Sequence, residues 1–407
     1  MTDVKMGPGE TLMALFSPQG KQNPYPLYES LRALGPMLPL GPQVVLVGYQ
    51  ECARALRETR LLSTDAAVQD QILPGWRDHS SWRWLTRNML FSNDPDHERF
   101  RRFFGSAFAP RRIAEFRPVV ERVVDGLVDR LGELGAGGAP VDFMSEFAFR
   151  LPMAVMGELL GIPDEDRMGF RNDIGDITLA LEPIRDLAVL EPGDAAMDRL
   201  AEYFTDLVAK RRADPADDLV SAMVAARDAS GDLTDEELVA NFMLLLVAGT
   251  EAPMDLVGNA MRLAIDHPEQ ARTIVDDPRR APAFIEETLR FDPAVHALNR
   301  LAAEDLEFFG LPVGAGTKVT LLIGAANRDP RRFAEPGRFD ITRPNNQALT
   351  FSAGAHYCLG VALARMQGEV AFPRLLGRFP GIALAGEPSY RDQLVQRGYA
   401  QLPVTPG

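Results

Sequence analysis

The chain has 407 residues, 46% hydrophobic and 25% charged, and a formal net charge of −14 from 43 basic and 57 acidic side chains. That balance describes an acidic globular protein with material for a large core, and it offers no basic excess to recruit nucleic acid or anionic membranes. Two cysteines, Cys52 and Cys358, leave no disulfide framework, which fits a reducing cytoplasm.

Met1 to Glu10 has no apolar stretch of the kind a signal peptide needs, and the longest apolar run, Phe242 to Ala248, is too short to span a bilayer. Without repeats, low-complexity tracts or long linkers, residues 1–407 read as a single domain. Residues 24–34 form an amphipathic helix stopped by Gly35-Pro36, and Met37–Leu40 with Val44–Val47 read as a β-hairpin. A helix from Tyr49 to about Glu58 follows. Residues 59–95 are loop-like and carry Trp76, Trp82, Trp84, Leu85, Met89 and Leu90. Such a segment is either a binding lid or a loop pinned to the core by its aromatic residues.

In Asp94-Pro-Asp-His-Glu-Arg-Phe-Arg-Arg102, His97 and Arg101 are four apart and share a helical face. The planar fork of arginine suits a carboxylate, and a histidine can add a second contact. The alternative is a solvated basic helix. Helical spacing recurs over Phe116–Leu134, Phe147–Leu160, Asp166 to about Leu181, and Asp194–Arg212. Pro183, Pro192 and Gly193 mark a linker between the last two, and Leu179–Leu190 is mostly apolar.

Thr234 and Glu237 make a capping box that opens a helix running to Asp266, about 50 Å long. Its middle reads Ala248-Gly249-Thr250-Glu251-Ala252-Pro253. Small residues there let a planar cofactor pack against the backbone, and Pro253 distorts the turn. Glu287 and Arg290 share a helical face, while Leu306–Phe309 and Thr317–Leu322 read as strands.

Phe351-Ser-Ala-Gly-Ala-His-Tyr-Cys-Leu-Gly360 places glycines four positions before Cys358 and two after it, just ahead of a helical pattern. A helix N-terminus supplies the positive surroundings a thiolate needs, and glycines let a flat ligand approach the backbone. This suits a cysteine presented as a metal ligand; the competing reading is a small buried hydrophobe.

The pattern Phe-x-x-Gly-x-His-x-Cys-x-Gly resembles the heme-binding loop of the cytochromes P450, and further matches run in family order from about residue 24 to Pro403. The resemblance implies a mainly α, triangular helical domain with a long central helix and a smaller β-rich region. It implies heme b with Cys358 as axial ligand, Phe351, His356 and Gly360 in the cofactor loop, and His97, Arg101, Arg300 and His356 on the propionates. Glu287 and Arg290 match a buried structural pair beneath the heme, Asn327–Asp340 matches the meander before the loop, and Leu179–Leu190 matches the roof over the substrate. Ala248, Gly249, Glu251 and Ala252 match the oxygen-binding bend, where the family usually has an acid followed by threonine. This chain keeps the acid, Glu251, but has Ala252 where the hydroxyl belongs, and Thr250 points elsewhere.

Pocket candidates are Leu90, Leu244, Val247, Val295, His296, and Val395 or Gln396. His296 either hydrogen-bonds a substrate or satisfies a backbone carbonyl. The implied function is a cytoplasmic, monomeric monooxygenase of secondary metabolism. It inserts one oxygen atom from O₂ into a mostly apolar small molecule, with electrons from a separate ferredoxin and ferredoxin reductase. Ala252 raises the alternatives of oxidative coupling, rearrangement or peroxide-driven oxidation. A heme-thiolate sensor or carrier is the reading outside catalysis.

Overall fold

A computed structural model describes residues 6–184 and 186–407, so Arg185 of the expected roof and the first residues of the Met1–Glu10 stretch lie outside it. The architecture is built on the helix Asp235–Asp266, whose 32 residues span about 48 Å. Its start is fixed as the sequence implies. Thr234 Oγ1 accepts the Glu237 N–H at 3.1 Å, and Glu237 Oε2 accepts the Thr234 N–H at 2.9 Å. The same carboxylate receives Arg99 at 2.6 and 3.0 Å, tying the helix Asp96–Gly105 to the head of the central one. Pro253 stays within the continuous helix.

Helices Arg117–Leu134, Arg150–Leu160, Glu191–Ala213 and Val361–Arg378 surround this axis and bury a common core that includes Phe104, Phe204, Phe242 and Phe372. The central helix is itself long and apolar enough to cross a bilayer, but 67% of its apolar window is buried against these neighbours. Burial inside a helical core accounts for its composition.

A second, smaller core lies on a five-stranded sheet ordered Met37–Leu40, Gln43–Leu46, Lys318–Leu322, Ala297–Ala302, Leu61–Leu62. Gln43 pairs with Lys318 in a parallel ladder, and Leu301 pairs with Lys318 in an antiparallel one. Ala353 of the cysteine loop packs into this sheet core, so the loop is anchored between the two layers.

Several boundaries differ from the sequence reading. Residues 59–95 are not a plain loop but hold helices Ala66–Ile72 and Ser80–Leu85, a two-residue strand and two 3₁₀ turns. Each piece is too short to show periodicity; local caps make them, as where Asp65 accepts the Val68 N–H at 2.8 Å. The segment both lines the cavity and is pinned to the core. Trp82 is buried against Phe91, ring centroids 5.5 Å apart, while Leu85 and Leu90 face the interior cavity. Phe147 belongs to a π-helical turn, Met144–Ala148, ahead of Arg150–Leu160. The expected helix from Asp166 breaks into Asp164–Arg167, Phe170–Thr178 and a 3₁₀ turn. Pro192 is not linker but sits in the first turn of Glu191–Ala213, where its missing N–H removes no bond.

Candidate active site

The cysteine loop is a tight structure closed on itself. The Cys358 N–H donates to the Phe351 carbonyl at 2.9 Å, and Gly354 adopts φ 70°. A Cβ on Gly354 would lie 2.6 Å from the Leu56 carbonyl oxygen, so only glycine lets the loop approach the sheet core. Gly360, the N-cap of Val361–Arg378, faces open space and directs its N–H at the Cys358 sulfur. The thiol is accessible, yet it lies deep enough for burial to push its pKa up. The Gly360 N–H, Arg101 and Arg365 oppose that shift. Arg365 also stacks 5.2 Å from the centre of the Phe351 ring. The second cysteine, Cys52, is fully buried with its thiol on the Leu46 carbonyl, as a small core residue.

Four basic or imidazole groups converge beside this loop. The His97 and His356 rings lie 4.0 Å apart between centroids. His356 is pushed down to about 3 by burial and by the charges of Arg300, His97 and Arg101. Burial also lowers His97, with Arg101 and Arg300 adding to the effect and Asp94 opposing it. Arg300 is pushed down to about 10 by burial alone, with no carboxylate near enough to offset it. Asp94, 3.7 Å from His97, is the one carboxylate that acts on this cluster among the described residues, and the Cys358 sulfur acts on Arg101. Buried cations without counter-charge are unfavourable unless a ligand supplies it. Two carboxylates beside a cysteine that accepts an iron would complete the charge, and this donor set fits a heme with two propionates.

Above the loop lies a cavity of about 450 Å³. The central helix contributes Leu244, Val247, Ala248 and Ala252; Val295, Val395, Gln396 and Leu90 join them, with His356 and Ser352 at the loop end. The expected pocket residues are thus brought together, with one exception. His296 is fully buried outside the lining, its Nδ1 3.0 Å from the Tyr28 hydroxyl. It serves a tyrosine rather than a substrate or a backbone carbonyl.

The stretch Ala248–Pro253 of the central helix divides its residues between two sides. Ala248 and Ala252 face the cavity, four residues apart on one face. Gly249 does not back onto the cofactor side: a Cβ there would meet Met156 Sδ at 2.6 Å, so the glycine serves packing against the helix Arg150–Leu160. Thr250 is wholly buried and absent from the lining. Glu251 points into a separate cleft behind the helix, where it is paired with Arg391. Arg391 also binds Asp255 at 2.6 Å, and burial lowers Arg391 to about 10 while raising the Asp255 carboxyl. Sequence reasoning missed Arg391, because it lies 140 residues from its partner and in no motif.

Glu287 and Arg290, both with fully buried side chains, are bonded at 2.6 and 2.8 Å. Arg290 also donates to the carbonyls of Asn327, Pro336 and Arg338 at 3.1, 2.9 and 3.1 Å, and so holds the meander that leads to the cysteine loop.

The cytochrome P450 family profile matches residues 42–274 and 281–387. The chain belongs to the cytochrome P450 family. This P450 is 39% identical over 402 residues to the vitamin D(3) 25-hydroxylase of Pseudonocardia autotrophica, covering 97% of this chain and 96% of the relative. It is 36% identical over 394 residues to the 6-deoxyerythronolide B hydroxylase of Saccharopolyspora erythraea, covering 93% and 95%. Among solved structures, a Mycobacterium smegmatis P450 with econazole bound superposes with a TM-score of 0.88 at 34% identity, covering 98% of this chain and all of that one. As a P450 the chain is an oxygen-incorporating oxidoreductase, and a heme iron is the family's cofactor.

Proposed function

We propose that the protein is a single-domain monooxygenase that inserts one oxygen atom from O₂ into a mostly apolar secondary metabolite. In this reading Cys358 would hold the iron of heme b, and His97, Arg101, Arg300 and His356 would receive the propionates. The observation that carries it is the convergence of those four groups and Cys358 at one end of an apolar chamber. Heme, when bound, supplies oxygen activation and transfer to a C–H bond; the protein sets its electronics and orients the substrate. The Gly360 N–H and the charges of Arg101 and Arg365 moderate the Cys358 sulfur. Leu244, Val247, Val295 and Val395 exclude water and hold the substrate by apolar contact. A separate ferredoxin and its reductase deliver electrons to a cytoplasmic monomer. Reduced protein with CO should show the far-red-shifted Soret band of a thiolate ligand. Cys358→His should lose that band and Cys52→Ser should keep it; retention of the band by Cys358→His would end the assignment.

A second reading concerns proton delivery. Ala252 offers no hydroxyl to the chamber, and Glu251 is held by Arg391 on the other side of the helix. A proton donor must stand within hydrogen-bond reach or one water away. These positions favour a substrate hydroxyl, carbonyl or carboxylate that orders the catalytic water. They equally favour a reaction other than simple hydroxylation, and products made under labelled O₂ separate the two.

A further inference from the structure

The Lys318 ammonium has no partner among the described residues. The residue begins the strand Lys318–Leu322 between Gln43 and Leu301, is half-buried, and lines the chamber. Among the described residues its ammonium makes no ion pair or side-chain hydrogen bond. Burial lowers its pKa, and no charged group, Arg300 included, acts on it. It therefore stands apart from the four groups that fit the propionates.

The sheet register gathers further donors around it. Residues opposite each other in an antiparallel ladder share a face, as do residues two apart. Lys318 and Thr320 thus share a face with Leu301 and Asn299. Asn299 Oδ1 accepts the Thr320 hydroxyl at 3.0 Å, and the Asn299 amide N–H groups have no acceptor among the described residues. Thr64 follows the strand Leu61–Leu62, whose Leu62 pairs with Leu301, and it also lines the chamber. Glu182, the chamber's carboxylate, sits on the roof and accepts the N–H groups of Leu394 and Val395 at 3.0 and 2.7 Å. Both bonds go to its Oε1, its Oε2 is buried without a partner among the described residues, and the carboxylate does not act on Lys318.

We propose that Lys318, with Asn299 and Thr64, anchors a carboxylate at one end of an otherwise apolar substrate. A partly desolvated ammonium without a counter-ion is unfavourable, and a ligand carboxylate supplies both the charge and the acceptors that this corner lacks. The anchor lies at the sheet end of the chamber, so the distance from carboxylate to oxidised carbon is set by the protein. This inference rests on the oxygen-inserting reading above and names its substrate class.

The test uses the holoenzyme and two probes of equal chain length, dodecanoate and dodecyl alcohol, with affinities from calorimetry at neutral pH. The wild type should bind dodecanoate at least about tenfold tighter than the alcohol, as expected for one charge-assisted contact. Lys318→Met should remove that preference while changing alcohol affinity less than about twofold, and Lys318→Arg should keep it. Heme content and the CO-bound Soret band of Lys318→Met should match wild type, which separates a substrate anchor from a propionate contact. They also separate failure of the anchor from failure of Cys358 as ligand. If Lys318→Met does not fold, Lys318→Gln and the wild-type acid-to-alcohol ratio decide the matter. Equal binding of the two probes, binding of neither, or heme loss in the variants would overturn the proposal.

Discussion

Replacing Glu287 by alanine strands a guanidinium in the interior. Arg290 has no exposed side-chain surface, and its charge is met by Glu287 through bonds of 2.6 and 2.8 Å. Glu287 also accepts the Asp340 N–H at 2.9 Å, Asn346 Nδ2 at 3.0 Å and Arg343 Nε at 3.3 Å. The alanine variant keeps Arg290 on its three carbonyls but removes the only carboxylate in contact with it among the described residues. Breaking such a pair on one side is worth about 3–5 kcal/mol, because the surviving charge is buried and uncompensated. Urea unfolding of the holoprotein, followed by circular dichroism and extrapolated linearly, measures the loss. Converting both residues to methionine should cost less than Glu287→Ala alone, since no charge is then left behind. A loss below about 1 kcal/mol for Glu287→Ala, within the range of surface ion pairs, would refute the reasoning.

Arg101→Leu and Arg300→Leu should each weaken heme retention by about 1.5–3 kcal/mol per charged hydrogen bond removed, measured by heme transfer to apomyoglobin. Unchanged transfer rates in both variants would remove the propionate assignment. Ala252→Thr should raise the coupling of electrons to product for an analogue lacking the substrate's polar group, and should help the true substrate little. If that analogue already couples as well as the substrate in the wild type, substrate assistance is wrong.

The parts of this protein visible in its sequence are those written locally. The capping box of Thr234 and Glu237 is one, and the four-residue spacing of His97 and Arg101 is another. The Cys358 loop was recognisable because its glycines and cysteine occupy a fixed frame of ten residues. Contacts between distant segments were not visible. Nothing near Glu251 announces Arg391, and nothing near Lys318 announces that its strand faces the chamber. Val295 and His296 both read as pocket candidates, but successive side chains along an extended stretch point to opposite sides, and only Val295 lines the chamber. The helices within residues 59–95 were hidden by their brevity, since a pattern needs about three turns to declare itself.

The parallel pairing of Gln43–Leu46 with Lys318–Leu322 has a consequence for synthesis. The first hairpin leaves the ribosome with one edge open, and the strand that closes it is encoded about 275 residues later. At about 5–20 residues per second, that edge waits roughly 14–55 s for its partner. During this interval Val44, Val45 and Leu46, all buried in the finished protein, stand on an unpaired strand able to join another chain. Pro39 on the outer strand and the shortness of both strands, four residues each, limit that hazard from the other edge. The sheet that carries Lys318 therefore closes late in synthesis, and yield in expression should respond to holdase chaperones.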